Sequence, residues 1–181
     1  MNVSTMKALK YADVSVGDEL PNLDVPLTRT RIVSTAIASR DYQDVHHDPD
    51  LARERGSPDI FMNILTSNGF VGRFITDWAG PNAVLKSVRI RLGAPNYPGD
   101  TMVMSGQVTK KEGGVIEVAV RGSNSLGDHV TGTVALELPD APIAWGEPRR
   151  ASGTTKTSAQ KPKKGAKSDK AKKPKKGKGK P

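Results

Sequence analysis

No cysteine occurs among the 181 residues, which excludes disulfides, thiolate catalysis and Cys-ligated metals outright. The N-terminus carries no charged segment followed by an apolar run and a small-residue cleavage site, so nothing there indicates export. Long apolar runs are missing too. The most apolar stretch, Ile60 to Trp78, is broken by Asn63, Asn68, Arg73 and Asp77 and is too polar to span a bilayer. A cytoplasmic protein without a membrane partner is expected. No Gly-x-Gly-x-x-Gly or Walker-type loop precedes a helix, and no Gly-x-Ser-x-Gly elbow is present. Dinucleotide binding, nucleotide hydrolysis and Ser-His-Asp chemistry are therefore disfavoured. Neither His-x-His nor His-x-x-x-His occurs. Side chains of the consecutive His46-His47-Asp48 diverge, so no metal site is expected.

Basic charge is abundant, but it is confined. The net charge is +9. Residues 151–181 hold 12 lysines and a single aspartate, a net of +11, whereas residues 1–150 hold 16 basic and 18 acidic residues, a net of −2. The body is mildly acidic and is not built to bind polyanions. The tail has almost no large apolar residue and cannot offset its ordering entropy by burial. One folded domain over residues 1–150 and a disordered Lys-rich tail over 151–181 are the expected organisation.

Within the body, Leu20 to Leu27 reads as extended, with Pro21 and Pro26 in it. The β-branched stretch from Arg31 to Ala38 reads as a first strand. Asp48-Pro49 then suits an N-cap and first helical position, opening a short helix that Gly56-Ser57-Pro58 ends. Ile60 to Trp78 is the longest helical candidate. Its apolar residues cover well over half the helical circumference, so it should be buried against more than one surface. Gly69 and Gly72 suggest that another backbone approaches it closely. After Gly80-Pro81 the apolar period falls to two. Val88, Ile90 and Leu92 share a parity, as do Met102, Met104 and Val108, then Ile116, Val118 and Val120, then Val134, Leu136 and Leu138. Four antiparallel strands, each with one apolar face, are predicted, and Glu112-Gly113-Gly114 is short enough for a hairpin. The layout is α+β, an antiparallel sheet wrapped round one long helix.

Chemistry concentrates in Arg40-Asp41-Tyr42-Gln43-Asp44-Val45-His46-His47-Asp48-Pro49-Asp50. A carboxylate and an imidazole five positions apart across a turn can converge on one small volume. Together they can hold a water and move its protons near neutral pH. The bland alternative makes Asp41 a turn cap and His46 a satisfied loop histidine. His47 and His129 read as structural or exposed, Arg89 and Arg91 as a solvated strand face, and Phe70 and Trp78 as core.

This stretch resembles the signature of the MaoC-like, or (R)-specific enoyl-CoA hydratase, family. There, Asp-x-Asn-Pro-[apolar]-His is followed by x-Asp-Pro and an Ala-bearing helix. Asp41 matches the motif's Asp, His46 its His, Asp48-Pro49 its Asp-Pro and Ala52 its Ala. Arg40, Gln43 and Asp44 depart from its Gly, Asn and Pro. Asp59-Ile60-Phe61-Met62-Asn63-Ile64 stands where the family has Pro-Ile-Ala-His-Gly-Met, so Asn63 replaces the usual Gly. Turns at Tyr97 to Thr101 and Asn124 to Asp128 resemble the family's two later turns. The likeness spans roughly residues 10–140.

The resemblance implies a hot-dog fold and hydration of a trans-2-enoyl-CoA by Asp41 and His46. The main-chain N–H of Asn63 would form part of an oxyanion hole. No metal or redox cofactor is implied, since CoA is part of the substrate. Within the family, the blocks Ser39 to Asp59, Asp77 to Pro81 and Asn124 to Thr131 resemble members acting on steroid side-chain thioesters. Those members work as one subunit of a hetero-oligomer, so a second MaoC-like subunit is the expected partner. The alternatives are a non-catalytic hot-dog partner subunit, which the presence of both Asp41 and His46 opposes, and a hot-dog acyl-CoA thioesterase. The spacing of Asp41 and His46 followed by Asp48-Pro49 opposes the second. For the tail, charge-driven polyanion binding competes with a solvated solubility segment, and the latter is preferred.

The charge division generates a first prediction. A chain truncated near Arg150 should keep its folding and its kcat/KM at physiological salt. A large loss of activity on truncation would instead give the lysines a part in binding CoA or the partner.

Overall fold

The computed structural model describes residues 8–139, and the Lys-rich tail lies outside the described residues. Five strands form one antiparallel sheet in the order β1-β3-β4-β5-β2. They are β1 (Glu19–Pro26), β2 (Val84–Leu92), β3 (Thr101–Glu112), β4 (Val115–Asn124) and β5 (Gly127–Glu137). Three helices precede β2: α1 (Arg29–Ala38), α2 (Pro49–Glu54) and α3 (Ile64–Ala79). This is the expected hot-dog arrangement. None of the helices among the described residues is long and apolar enough to cross a membrane.

The extended segment around Pro21 is a true strand, β1, at a sheet edge. Pro21 falls in the register shift between Leu20 and Leu23, where the ladder does not require its missing N–H. The segment read as a strand, Arg31 to Ala38, is instead the helix α1. Thr28 caps it by accepting from the Arg31 N–H at 3.1 Å. Ile32 and Ala36, one helical turn apart, are both fully buried. Each β-branched residue costs a helix about 0.5 kcal/mol, whereas burying one Ile contributes roughly 2 kcal/mol or more. Burial wins, and the propensity reading fails.

The short helix α2 forms as its sequence demands. The Asp48 carboxylate accepts from the N–H groups of Asp50 and Leu51 at 3.0 and 3.1 Å, with Pro49 in the first position. The long helix begins later than its periodicity suggests, at Ile64 rather than Ile60. Residues 60–63 stay outside the helix because their main chain is used elsewhere. The Phe61 N–H donates to the Val45 carbonyl at 3.1 Å and the Met62 N–H to the Asn96 carbonyl at 3.0 Å. Ile60 and Met62 are buried, but not on a helix face.

Across the sheet, α3 packs Val71, Phe74 and Ile75 onto Met102, Met104 and Val118, forming a single core. Phe70 and Trp78 flank that core half-buried. Phe74 lies directly over Gly106, where a Cβ would stand 3.0 Å from its ring. Among the described residues, the close backbone approach expected at Gly69 and Gly72 is not found. A Cβ at Gly69 would meet nothing within 4 Å, and one at Gly72 only the Leu85 side chain at 3.9 Å. The β3–β4 hairpin closes through Gly113 and Gly114, both at positive φ, as a tight two-residue turn requires. In β2, Val88, Ile90 and Leu92 face the same side as Val134 and Val130 of β5. That side is only partly covered, and Val88 and Leu92 each remain 36% exposed.

Candidate active site

Asp41 owes its position to the end of α1. The Arg40 N–H donates to the Ile37 carbonyl and the Asp41 N–H to the Ala36 carbonyl, both at 2.9 Å, which is the bond pair of a Schellman stop. Such a stop needs a left-handed residue, and Arg40 adopts φ 58°. This explains why glycine suits that position in the motif. The chain then crosses to a 3-10 turn over Asp44–His46, whose direction the capped start of α2 fixes.

His46 is held from both sides of its backbone. Its neighbour Val45 accepts from Phe61 N–H, and its own Nδ1 lies 2.8 Å from the Phe61 carbonyl oxygen. A carbonyl can only accept, so Nδ1 carries the proton and Nε2 of the neutral ring presents a lone pair. That Nε2 stands 3.4 Å from Asp41 Oδ2, with the His46 side chain 7% and the Asp41 side chain 14% exposed. The Phe61 ring meets the imidazole edge-on, with centroids 5.0 Å apart. His47, by contrast, is exposed and turns its Nε2 to the Tyr42 carbonyl at 3.2 Å.

Both Asp41 and His46 line a cavity of about 310 Å³. Its other walls include Val45, Met62, Ile64, Leu92 and Pro95. A base and a carboxylate therefore open onto a mostly apolar chamber, an arrangement suited to moving protons on a bound acyl group. A groove of similar volume, about 320 Å³, runs over β1, β3 and β4 beside Glu19 and Arg121. It brings no imidazole to a carboxylate.

Asn63 is the N-cap of α3 rather than its fourth residue. Its Oδ1 accepts from the Thr66 N–H at 3.1 Å, and its Nδ2 donates to Asp41 Oδ2 at 3.0 Å and to Ser39 Oγ at 2.8 Å. Met62 and Ile64 on either side of it face the cavity. Among the described residues, no group accepts from the main-chain N–H of Asn63 or Ile64. These are the orphan donors of a helix start, where the helix dipole is positive.

Sequence reasoning missed three further participants. The Phe61 carbonyl and the Asn63 side chain carry no composition signal, although Asn three positions before Thr66 fits an N-cap. His129 is the third. It is buried at the cavity wall, with Nδ1 donating to the Ala94 carbonyl at 2.7 Å and Nε2 accepting from Ser67 Oγ at 2.8 Å. Burial holds its pKa below the ordinary histidine value, opposed by the Ala94 hydrogen bond, so it remains neutral at pH 7. It ties β5 to the Gly93–Pro95 wall. The two turns singled out by sequence also meet: Asn124 Nδ2 donates to Asn96 Oδ1 at 2.8 Å. Ser125 Oγ likewise donates to Asp100 at 2.6 Å. The Ser125 hydroxyl, with the Thr101 N–H, keeps the Asp100 carboxyl below the usual carboxylate range.

Comparison with known proteins bears on the family and the fold. The model of the MaoC like domain matches residues 11–128. The 3-oxo-4,17-pregnadiene-20-carboxyl-CoA hydratase beta subunit of Mycobacterium tuberculosis is 56% identical over 126 residues, covering 70% of this chain and 98% of that protein. Among solved structures, a chain of the ChsH1-ChsH2 complex from Mycobacterium tuberculosis superposes with a TM-score of 0.68 at 56% identity, over 68% of this chain and 98% of that one. The R-hydratase PhaJ1 of Pseudomonas aeruginosa shares the fold at 20% identity, with a TM-score of 0.68 over 78% of this chain and 95% of that chain.

The strained Arg40 generates the second prediction. Glycine adopts the left-handed conformation without the Cβ clash, which costs an L-residue about 1 kcal/mol or more. Arg40→Gly should therefore raise the thermal midpoint by a few degrees without lowering kcat. A fall in the midpoint would contradict the assignment of strain to this residue.

Proposed function

The chain belongs to the MaoC-like family, and from that premise we propose that it is the catalytic subunit of an enoyl-CoA hydratase. The observation that carries this reading is His46 Nε2, freed by the Phe61 carbonyl and facing Asp41 Oδ2 at 3.4 Å on a cavity wall. His46 Nε2 takes a proton from water as the water oxygen bonds to C3 of the trans-2-enoyl thioester. The C2=C3 electron pair moves toward the thioester carbonyl. Asp41 orients the water and stabilises the imidazolium that forms. The proton held by the pair is then returned to C2, so the elements of one water are added across the double bond. Because the two groups act as a coupled unit, the steps belong to the pair.

Charge developing on the thioester oxygen needs donors. The main-chain N–H of Asn63, at the positive end of α3, is the proposed one, with Ile64 beside it. The addition is redox-neutral, and CoA enters with the substrate. The relative's identity supports a steroid side-chain thioester as the acyl class. A cavity of about 310 Å³ suits the enoyl end, while the rings would need surface from a neighbour.

Such a neighbour also suits the sheet. Strand β2 is an edge, and Leu85, Val88 and Leu92 on it remain exposed, as does Ile64 on α3. An unpaired edge bordered by apolar side chains is a surface to be covered. The proposed partner is a second MaoC-like subunit. Light scattering should find the active species to be an oligomer containing both chains. A monomer of this chain with full activity would contradict that.

The dyad is tested by substitution. Asp41→Asn and His46→Gln should each lower kcat by about a hundredfold or more, with a much smaller change in substrate binding. The double variant should be little worse than the poorer single one, because the groups act as one unit. His47→Gln should stay largely active. The measurement is loss of the conjugated thioester absorbance, with folding checked by circular dichroism. Near wild-type turnover in a folded Asp41→Asn or His46→Gln chain would sink the hydratase reading.

A further inference from the structure

Asn63 does more in the structure than start a helix. Its amide orientation is forced from both ends. The Thr66 N–H can only donate, so the atom 3.1 Å from it must be Oδ1. The Ser39 hydroxyl donates to the Thr35 carbonyl at 2.8 Å, so its lone pair is what meets Asn63 Nδ2 at 2.8 Å. The second Nδ2 hydrogen is left for Asp41 Oδ2 at 3.0 Å. Asn63 is 1% exposed, so water does not compete for these bonds.

The consequence falls on Asp41. Its Oδ2 meets a group that donates and cannot accept, on the same oxygen that faces His46 Nε2. Among the described residues no other side chain donates to the Asp41 carboxylate. A carboxylate on a loop has two free side-chain torsions, and one directed donor removes most of that freedom.

We propose that the Asn63 side chain is a positioning residue, holding the Asp41 carboxylate against His46 Nε2. This is a role separate from its helix cap and from its main-chain N–H, and it rests on the hydratase reading. The cap and the clamp can be separated chemically. Serine caps a helix about as well as asparagine, and glycine nearly so, yet neither carries an amide that reaches Asp41.

The test uses the assembled hydratase with Asn63→Ser and Asn63→Gly, each also combined with Asp41→Asn. Both single variants should fold, shown by an unchanged circular dichroism spectrum. Each should lose at least about tenfold in kcat with KM changed less than about threefold. In the Asp41→Asn background, the same substitutions should cost almost nothing more, because Asn63 acts through a carboxylate already removed. Wild-type kcat in a folded Asn63→Ser or Asn63→Gly enzyme overturns the proposal. So does a loss that multiplies in full with that of Asp41→Asn, which is the mark of a merely structural role. If Asp41→Asn alone is fully active, the hydratase reading fails instead, and the two failures are distinguishable.

Discussion

The hydrogen bond from His46 Nδ1 to the Phe61 carbonyl, 2.8 Å long, directs everything the site can do. A neutral imidazole has one donor and one acceptor nitrogen, and a peptide carbonyl takes the donor. The acceptor nitrogen is thereby committed to the cavity and to Asp41. Without that carbonyl the ring could turn over and present a proton where a base is needed. The same contact ties the 3-10 turn carrying His46 to the segment that leads into α3. The orientation of the imidazole and the path of the chain are thus fixed by one interaction, and the edge-on Phe61 ring holds the imidazole plane.

Around this bond the fold assembles three chain ends that would otherwise be liabilities. Helix termini leave backbone groups without partners. The C-terminus of α1 satisfies its own through a Schellman stop, which delivers Asp41. The N-terminus of α2 is closed by Asp48, which delivers His46. The N-terminus of α3 is only partly closed, by the Asn63 side chain, and the N–H groups it leaves over lie next to the cavity. The sheet supplies the rigid floor, and His129 pins the opposite wall to it by a bond to the Ala94 carbonyl. Rigid elements meeting at their ends give the precision that acid–base chemistry needs.

Much of this was legible in the residues, for identifiable reasons. The parity of Met102, Met104 and Val108, and of Ile116, Val118 and Val120, is a local signal, and burial follows it. Asp48-Pro49 is a cap by its own chemistry. Asp41 and His46 are near enough in sequence for the turn between them to bring them together. What escaped depends on distant partners. Ile32, Val33, Thr35 and Ile37 have the composition of a strand, and only the burial of Ile32 and Ala36 makes them helical. Ile60 continues the apolar wheel of α3 but is buried ahead of the helix, as Met62 is. The direction of the Asn63 amide depends on Ser39, 24 residues away. His129 reaches its wall only through the pairing of β5 with β2.

The site therefore depends on a protonation state as much as on a distance. Nitrogen-15 resonances of the His46 imidazole, read in the intact protein above the pH at which histidine charges, measure that state directly. A protonated, pyrrole-type Nδ1 and a lone-pair, pyridine-type Nε2 are expected. The reverse assignment, with the proton on Nε2, would contradict this, because Nε2 would then donate to the Asp41 carboxylate and have no lone pair with which to take a proton from water.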